Sequence, residues 1–300
     1  MTIHSQVSAN QRGTWLLLFL FVIVVAGVVE LFTLVLGGGH VVGIAALVLA
    51  SLFVVIGYYS GSSMVLGISQ AREVKHDENP DLYHIVENLC IGSGLPMPKV
   101  YIIEDTALNA FATGRDPRHA AVAVTRGLLQ RLDKLELEGV IAHELSHIKN
   151  YDVRLMTLVA VLIGLVALLA DFMLRFTWFG SGKRQSNRGR GEGLVGAIIL
   201  IGALIAVLLA PLSARLIGLA ISRGREHLAD VSSALLTRYP EGLARALEKI
   251  AADKEPLEVA NKATAHLYIA NPLKGHESWA NNLFSTHPPI EDRIRRLRAM

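Results

Sequence analysis

The chain has 300 residues, 52% of them hydrophobic and 18% charged, and a formal net charge of +3. So small a charge, with no basic stripe interleaved with aromatics, excludes nucleic acid as a partner. The single cysteine, Cys90, excludes an internal disulfide.

The apolar residues are gathered into four blocks, which makes the lipid bilayer a partner. Trp15 to Leu36 is apolar except for Glu30 and Thr33, and Val41 to Tyr59 carries no charge. Each has the roughly 20 residues that a spanning helix needs. The first is too long for a signal peptide and no small-residue cleavage site follows it, so a retained anchor is expected. The two pair as a hairpin turned at Gly37 to His40. Asn79 to Leu89 then reads as a helix, and Gly94 to Pro98 breaks the chain. Val100 to Ile103, Ala107 to Thr113 and Ala120 to Thr125 read as short strands, the last two separated by a turn at Gly114 to Arg118. Leu128 to Asn150 reads as one helix, weakened by Gly139. The third block, Leu155 to Ala170, is marginal in length and also fits a buried core helix. The fourth, Leu194 to Ala214, is uncharged, and residues 180 to 193 between them form a basic, glycine-rich loop. Gly182-Lys183 lacks the flanking residues of a phosphate loop, since Thr177 and Arg184 stand in their places, so no nucleotide is expected. Ser222 to Thr237, Glu241 to Ala251 and Pro289 to Arg298 read as helices, and residues 253 to 285 are unassigned.

The chemistry concentrates in His143-Glu144-Leu145-Ser146-His147, a His-Glu-x-x-His pattern on a predicted helix. Residues four apart share a helical face, so both imidazoles reach one ion, and Glu144 beside them can take a proton from water that zinc has acidified. The apolar approach Gly139 to Ala142 puts this helix in a core, where two unpaired histidines and a glutamate would be costly. A catalytic zinc wants a third protein ligand. Glu226 and Asp230, four apart, suggest one ligand and one acceptor orienting a ligand histidine. His227 is the rival third ligand, and its side chain points about 100° away from that of Glu226.

These motifs resemble those of the HtpX family of membrane zinc metalloproteases, which is related to the CAAX prenyl proteases. The resemblance is carried by Asn109 to Gly114, Val122 to Leu129, His143 to Asp152, Ser222 to Asp230 and Ser285 to Pro289, in the family's order. It implies one zinc ion per chain, Glu226 as third ligand and Asp230 behind the ligands. The implied fold is mainly α: a helical zinc-metalloprotease domain with a small β-sheet, fused to and interrupted by transmembrane helix hairpins. On that plan residues 1–60 form the first hairpin, 61–152 the first part of the protease domain, 153–221 the second hairpin with its basic loop, and 222–300 the second part. The resemblance also places His287 in the active site, where it could donate to the oxyanion; otherwise it caps the helix that follows Pro288-Pro289. Arg293 either pairs with a carboxylate behind the ligands or belongs to a basic face with Arg295, Arg296 and Arg298. Substrate is expected along the strand edges, at Asn109 and Ala110 and, if Ala120 to Thr125 is an edge that takes an added strand, at Val122 and Val124; otherwise that segment is a plain core strand.

The implied activity is ATP-independent endoproteolysis of membrane or misfolded proteins in quality control. A prenyl-protein protease and a scaffold with structural zinc are the alternatives, and Glu144 with a single cysteine argues against the scaffold. Because His147 and Glu226 must meet at one ion, the chain between them crosses the membrane twice or not at all. Arg12, Arg72 and Lys75 flank the first hairpin, whose turn has no Lys or Arg, so the positive-inside rule and the resemblance place the protease domain on the cytoplasmic side of a bacterial inner membrane. The five basic residues between Arg175 and Arg190 run against that orientation.

Overall fold

Ala, Val and Ile dominate the stretch from Lys99 to Thr125, and they build the layer on which everything else packs. The computed structural model of the chain describes residues 12–23, 26–27, 30, 40–181, 223–261, 263–273 and 288–300, with the backbone alone for 42, 43, 46, 169, 170 and 172–181. Strands β1 (Arg72–Glu73), β2 (Lys99–Ile103), β3 (Ala110–Gly114) and β4 (Ala120–Thr125) form one mixed sheet in the order β1-β2-β4-β3. The β2–β4 pair is parallel and the other two pairs are antiparallel.

Both faces of this sheet are covered. Val100, Ile102, Ala110, Ala112, Val122 and Val124 face one core, with helices α3 (Pro80–Ser93), α5 (Lys134–Lys149), α7 (Arg223–Thr237) and α8 (Pro240–Ala252). Ile103, Phe111, Ala121 and Ala123 face a second core, with α1 (Arg12–Ile23), α2 (His40–Ile68) and α6 (Asp152–Ser181). A strand apolar on both faces shows little alternation, which is why β4 alternates so weakly in sequence.

Local chemistry sets the helix ends. Asn79 accepts from the Leu82 N–H, Pro80 opens α3, and Gly94, with φ 69°, closes it, so α3 runs four residues past its expected end. The single helix expected over Leu128 to Asn150 is broken into α4 (Arg126–Arg131) and α5. Asp133 and Glu136 each accept the other's backbone N–H at 2.9 Å, a capping box that restarts the helix. The strand expected from Ala107 begins only at Ala110, because Ala107 and Leu108 turn their N–H groups to Asp105 and Asp253. The last helix, α9, spans Ile290–Leu297.

The two first apolar blocks pair antiparallel: Trp15 stacks on Tyr58 at one end, and Glu30 meets His40 at 2.6 Å at the other. Among the described residues one helix, Leu47–Ile68, is long and apolar enough to cross a membrane. The third block behaves first as a core helix: Val153 to Val166 of α6 contributes ten residues under 9% exposed to the second core and its surroundings, while Leu168 is 65% exposed. The fourth block and the basic loop from residue 182 lie outside the described residues.

Gly139, which weakens α5 in isolation, is where α5 meets α8. A Cβ there would lie 2.6 Å from the Leu243 backbone nitrogen and 2.9 Å from its Cα. Ser233 of α7 donates to the Gly139 carbonyl at 2.8 Å, so three helices meet at this residue. Gly139→Ala gains helix propensity but overpacks a backbone contact, which costs about 1–3 kcal/mol. Its thermal unfolding midpoint is expected to fall by roughly 3–10 °C; an unchanged or raised midpoint would contradict this packing.

Candidate metal centre

His143, Glu144 and His147 sit on the part of α5 buried between the sheet and α7, each less than 5% exposed. Their apolar neighbours Val140, Ile141, Leu145 and Ile148 hold that helix in the first core. Glu226 and Asp230 come from α7, and Arg293 from α9; all three are buried.

Two aspartates fix the imidazoles. His143 Nδ1 lies 3.0 Å from Asp230, and His147 Nδ1 lies 3.0 Å from Asp152. A carboxylate only accepts, so both Nδ1 atoms carry a proton, which leaves Nε2 of each ring as the nitrogen that can face a metal ion. The two Nε2 atoms are 3.2 Å apart. Two ring nitrogens this close are favourable when they share a cation, whether a proton on His147 Nε2 or a metal ion in its place. Glu226 supplies the counterpart, with carboxylate oxygens 3.5 Å from His147 Nε2 and 3.7 Å from His143 Nε2. A tetrahedral ion with bonds of about 2.0–2.1 Å spaces its ligand atoms roughly 3.3 Å apart, so the three donors have the chemistry and nearly the spacing such an ion requires. Among the described residues His143, His147 and Glu226 are the one such cluster, and His227, on the flank of α7, is not part of it.

The electrostatics favour positive charge at this point of the core. Burial alone would push the His147 imidazole down, but the bond to Asp152 and the charges of Glu226, Asp152 and Glu144 lift it to about 9. Burial lowers His143 to about 4, helped by the charge of Arg293. Burial lifts the Glu144 carboxyl to about 7, although it accepts from the Ala112 N–H of β3. Arg293 is wholly buried; its Nε and Nη2 reach the two oxygens of Asp230 at 3.0 and 2.7 Å, and its Nη1 donates to the Ile269 carbonyl at 3.2 Å. It belongs to the site and not to the exposed basic face formed by Arg295, Arg296 and Arg298.

The substrate edge differs from the expected one. β4 is hydrogen-bonded to β2 and to β3, and Val122 and Val124 point into the core, so strand addition there has no open edge. The edge beside α5 is β3. Its first residues are engaged: the Asn109 amide donates to the Ala270 carbonyl at 3.1 Å, and the Ile269 N–H donates to the Ala110 carbonyl at 2.9 Å. His287 lies outside the described residues. Asp152 was not singled out by the sequence, although a carboxylate five residues after His147, opening an apolar block, is a usable signal. No pattern announced the segment from Thr264 to Ala270, which covers the start of β3.

A buried His-His-Glu cluster, with a second glutamate beside it on the same helix and a sheet edge above, defines a metal-dependent peptide hydrolase. The sequence profile of peptidase family M48 matches residues 76–300. Proteins described as protease HtpX homologs are similar over the whole chain. The one from Dictyoglomus thermophilum is 46% identical over 303 residues, covering 100% of this chain and 95% of its own length. The one from Lactobacillus helveticus is 42% identical over 303 residues, covering 99% and 100%. Among solved structures, the crystal structure of S. mikatae Ste24p has a TM-score of 0.46 at 19% identity, covering 81% of this chain and 55% of that one. The chain belongs to peptidase family M48 and, within it, to the HtpX proteases.

Removing the Asp152 carboxylate by Asp152→Ala leaves His147 free to rotate and to protonate at either nitrogen. Loss of such a partner costs about 10–100-fold in metal affinity. Competition against a chelator of known affinity measures it; unchanged affinity would mean that Asp152 does not hold the ligand.

Proposed function

We propose that the chain is a zinc endopeptidase of the bacterial inner membrane, acting without ATP on membrane or misfolded proteins in quality control. The observation that carries the catalytic part is the convergence of His143 Nε2, His147 Nε2 and a Glu226 carboxylate oxygen, all within 4.8 Å of one another. These three would hold one zinc ion. Zinc supplies Lewis acidity, acidifying water and polarising a carbonyl.

The chain's own groups do the rest. Glu144 takes the proton of the attacking water and delivers it to the leaving amine; its burial makes it a stronger base than an exposed carboxylate. Asp230 and Asp152 keep both Nε2 lone pairs aimed at the ion, and Arg293 holds Asp230 in place. An extended substrate would lie along β3 beside its middle residue, Ala112, next to Glu144, and His287 would donate to the oxyanion. Residues 1–60 and 153–221 would anchor the protease domain, its two parts 61–152 and 222–300 both cytoplasmic. The apolar helix Leu47–Ile68 and the identity to HtpX proteases support the membrane reading.

Glu144→Gln is expected to keep its zinc and to lose at least about 100-fold in peptide hydrolysis, since the amide accepts no proton. In the same assays Glu226→Ala should lose zinc on dialysis while His227→Ala retains it. Substantial turnover by Glu144→Gln, or equal zinc retention by the other two, would overturn the roles assigned. Orientation is checked by labelling single cysteines at Asp77 and Asn261 from outside intact cells, with Cys90→Ser as background. Neither should react; labelling of one alone would break the shared site, and labelling of both would reverse the orientation.

A further inference from the structure

The helices of the second core leave the sheet in one direction. Gly57 of α2 lies against Val161 of α6 and Gly61 against Thr157, so α6 runs antiparallel to α2. The Trp15–Tyr58 and Glu30–His40 contacts set α1 antiparallel to α2 as well. Most of the exposed apolar side chains of α1 and α2 lie on one side of the level marked by Trp15 and Tyr58, among them Phe19 and Ile23 of α1 and Val41 and Val48 of α2; Met64 and Ile68 of α2 lie on the other. From His40 to Tyr58 is about 27 Å of helix at 1.5 Å per residue, close to the roughly 30 Å of a hydrocarbon layer. Trp and Tyr gather at such boundaries.

At that level the sheet contributes cations. The turn after β3 carries Arg115, whose guanidinium lies over the Tyr59 ring at 5.2 Å and donates to the Tyr59 carbonyl at 3.5 Å. Arg154, in the first turn of α6, donates through Nε to the Arg115 carbonyl and stacks against Tyr151 at 4.9 Å and Tyr58 at 5.9 Å. Between them opens a shallow cleft with room inside for about one water, lined also by Ser62 and His119. The acid at its rim, Asp116, is engaged: it caps the turn at Arg118 and His119 and bonds the His119 ring at 2.8 Å, and it lies 3.7 Å from Arg115. Among the described residues no carboxylate pairs with Arg154. Leu52, Val55 and Tyr59, on one exposed face of α2, lead from the apolar surface into the cleft.

We propose that the mouth of this cleft binds the phosphate headgroup of an anionic phospholipid, with Arg115 and Arg154 on the phosphate, Ser62 and His119 as further hydrogen-bond partners, and the acyl chains along Leu52 and Val55. Two forked guanidiniums suit a phosphodiester better than point charges do, and aromatic rings behind them keep both in place. The inference rests on the membrane reading above but not on the protease chemistry.

The test uses the whole chain in nanodiscs of phosphatidylcholine, with and without phosphatidylglycerol, and native mass spectrometry of the lipid that stays bound after release. Wild type should retain phosphatidylglycerol over phosphatidylcholine. The double variant Arg115→Gln/Arg154→Gln should retain it at least about tenfold less, and Arg295→Gln, a cation removed from the exposed face of α9, should match wild type. Arg115→Gln alone, which removes contacts to Tyr59 and Asp116 only, should show an intermediate loss and guards against misfolding of the double variant. Equal retention by wild type and Arg115→Gln would overturn the proposal, and so would displacement of the lipid by millimolar inorganic phosphate, which would mark a phosphate site. Resistance of the protein to alkaline carbonate extraction reads membrane insertion separately: extraction of wild type would sink the membrane reading, whereas retained insertion with unselective lipid binding sinks this inference alone.

Discussion

Arg293 carries a full positive charge at 0% exposure, and much of the protease domain follows from what keeps it there. A buried cation needs paired carboxylate and hydrogen-bond partners, and deleting one side of such a pair costs about 3–5 kcal/mol. Asp230 meets it with both oxygens, the Ile269 carbonyl takes a third bond, and Glu226 lies 3.7 Å away. Through Asp230 the guanidinium fixes the tautomer of His143. One charge thus ties α9, α7, the segment covering β3 and the helix with the histidines to a common centre. It also offsets carboxylate charge that the metal ligands alone would leave uncompensated, which explains why the cluster can be assembled in a dry core.

The parts of this arrangement that were legible in the sequence are those written in local spacing. His143, Glu144 and His147 are fixed by helical period; Glu226 and Asp230 share that period on a second helix, but only the family resemblance chose Glu226 over His227 as the third ligand. The strand Ala120 to Thr125 was found at its true limits. Its place in the sheet was not, because strand order is a tertiary property: Val122 and Val124 look alike in sequence whether they line an edge or a centre. The break at Leu132-Asp133 was missed although Asp133 and Glu136 have capping-box spacing, since the helical period continues across it. Arg293 shares its helix with three exposed arginines, and only the fold separates it from them. The expected role of His287 falls on residues the structure does not describe.

The sheet has unequal neighbours. On one face lie the protease helices, packed through Val and Ile; on the other lie α2 and α6, packed against Ala121 and Ala123. Small residues allow close approach, and the glycines at 57 and 61 of α2 serve the same end against α6. The apolar helices are therefore docked on the back of the active-site sheet and are not tethered by a loose linker. The turn between α5 and α6 shows the same economy: the chain bends by 84° at Tyr151, with φ 60°, and the next residue, Asp152, turns back to hold His147.

The bond between Arg293 and Asp230 has a consequence for the order of synthesis. The histidines are made early, but the residue that balances the charge behind them comes 150 positions after His143. Contacts so distant in sequence close late, and a chain lengthening from its N-terminus cannot make this one before residue 293 has emerged. Until then Asp230 lacks its buried cation and His143 lacks a firmly held partner. A nascent chain still short of residue 293 thus lacks the group that completes the buried charge balance of this centre.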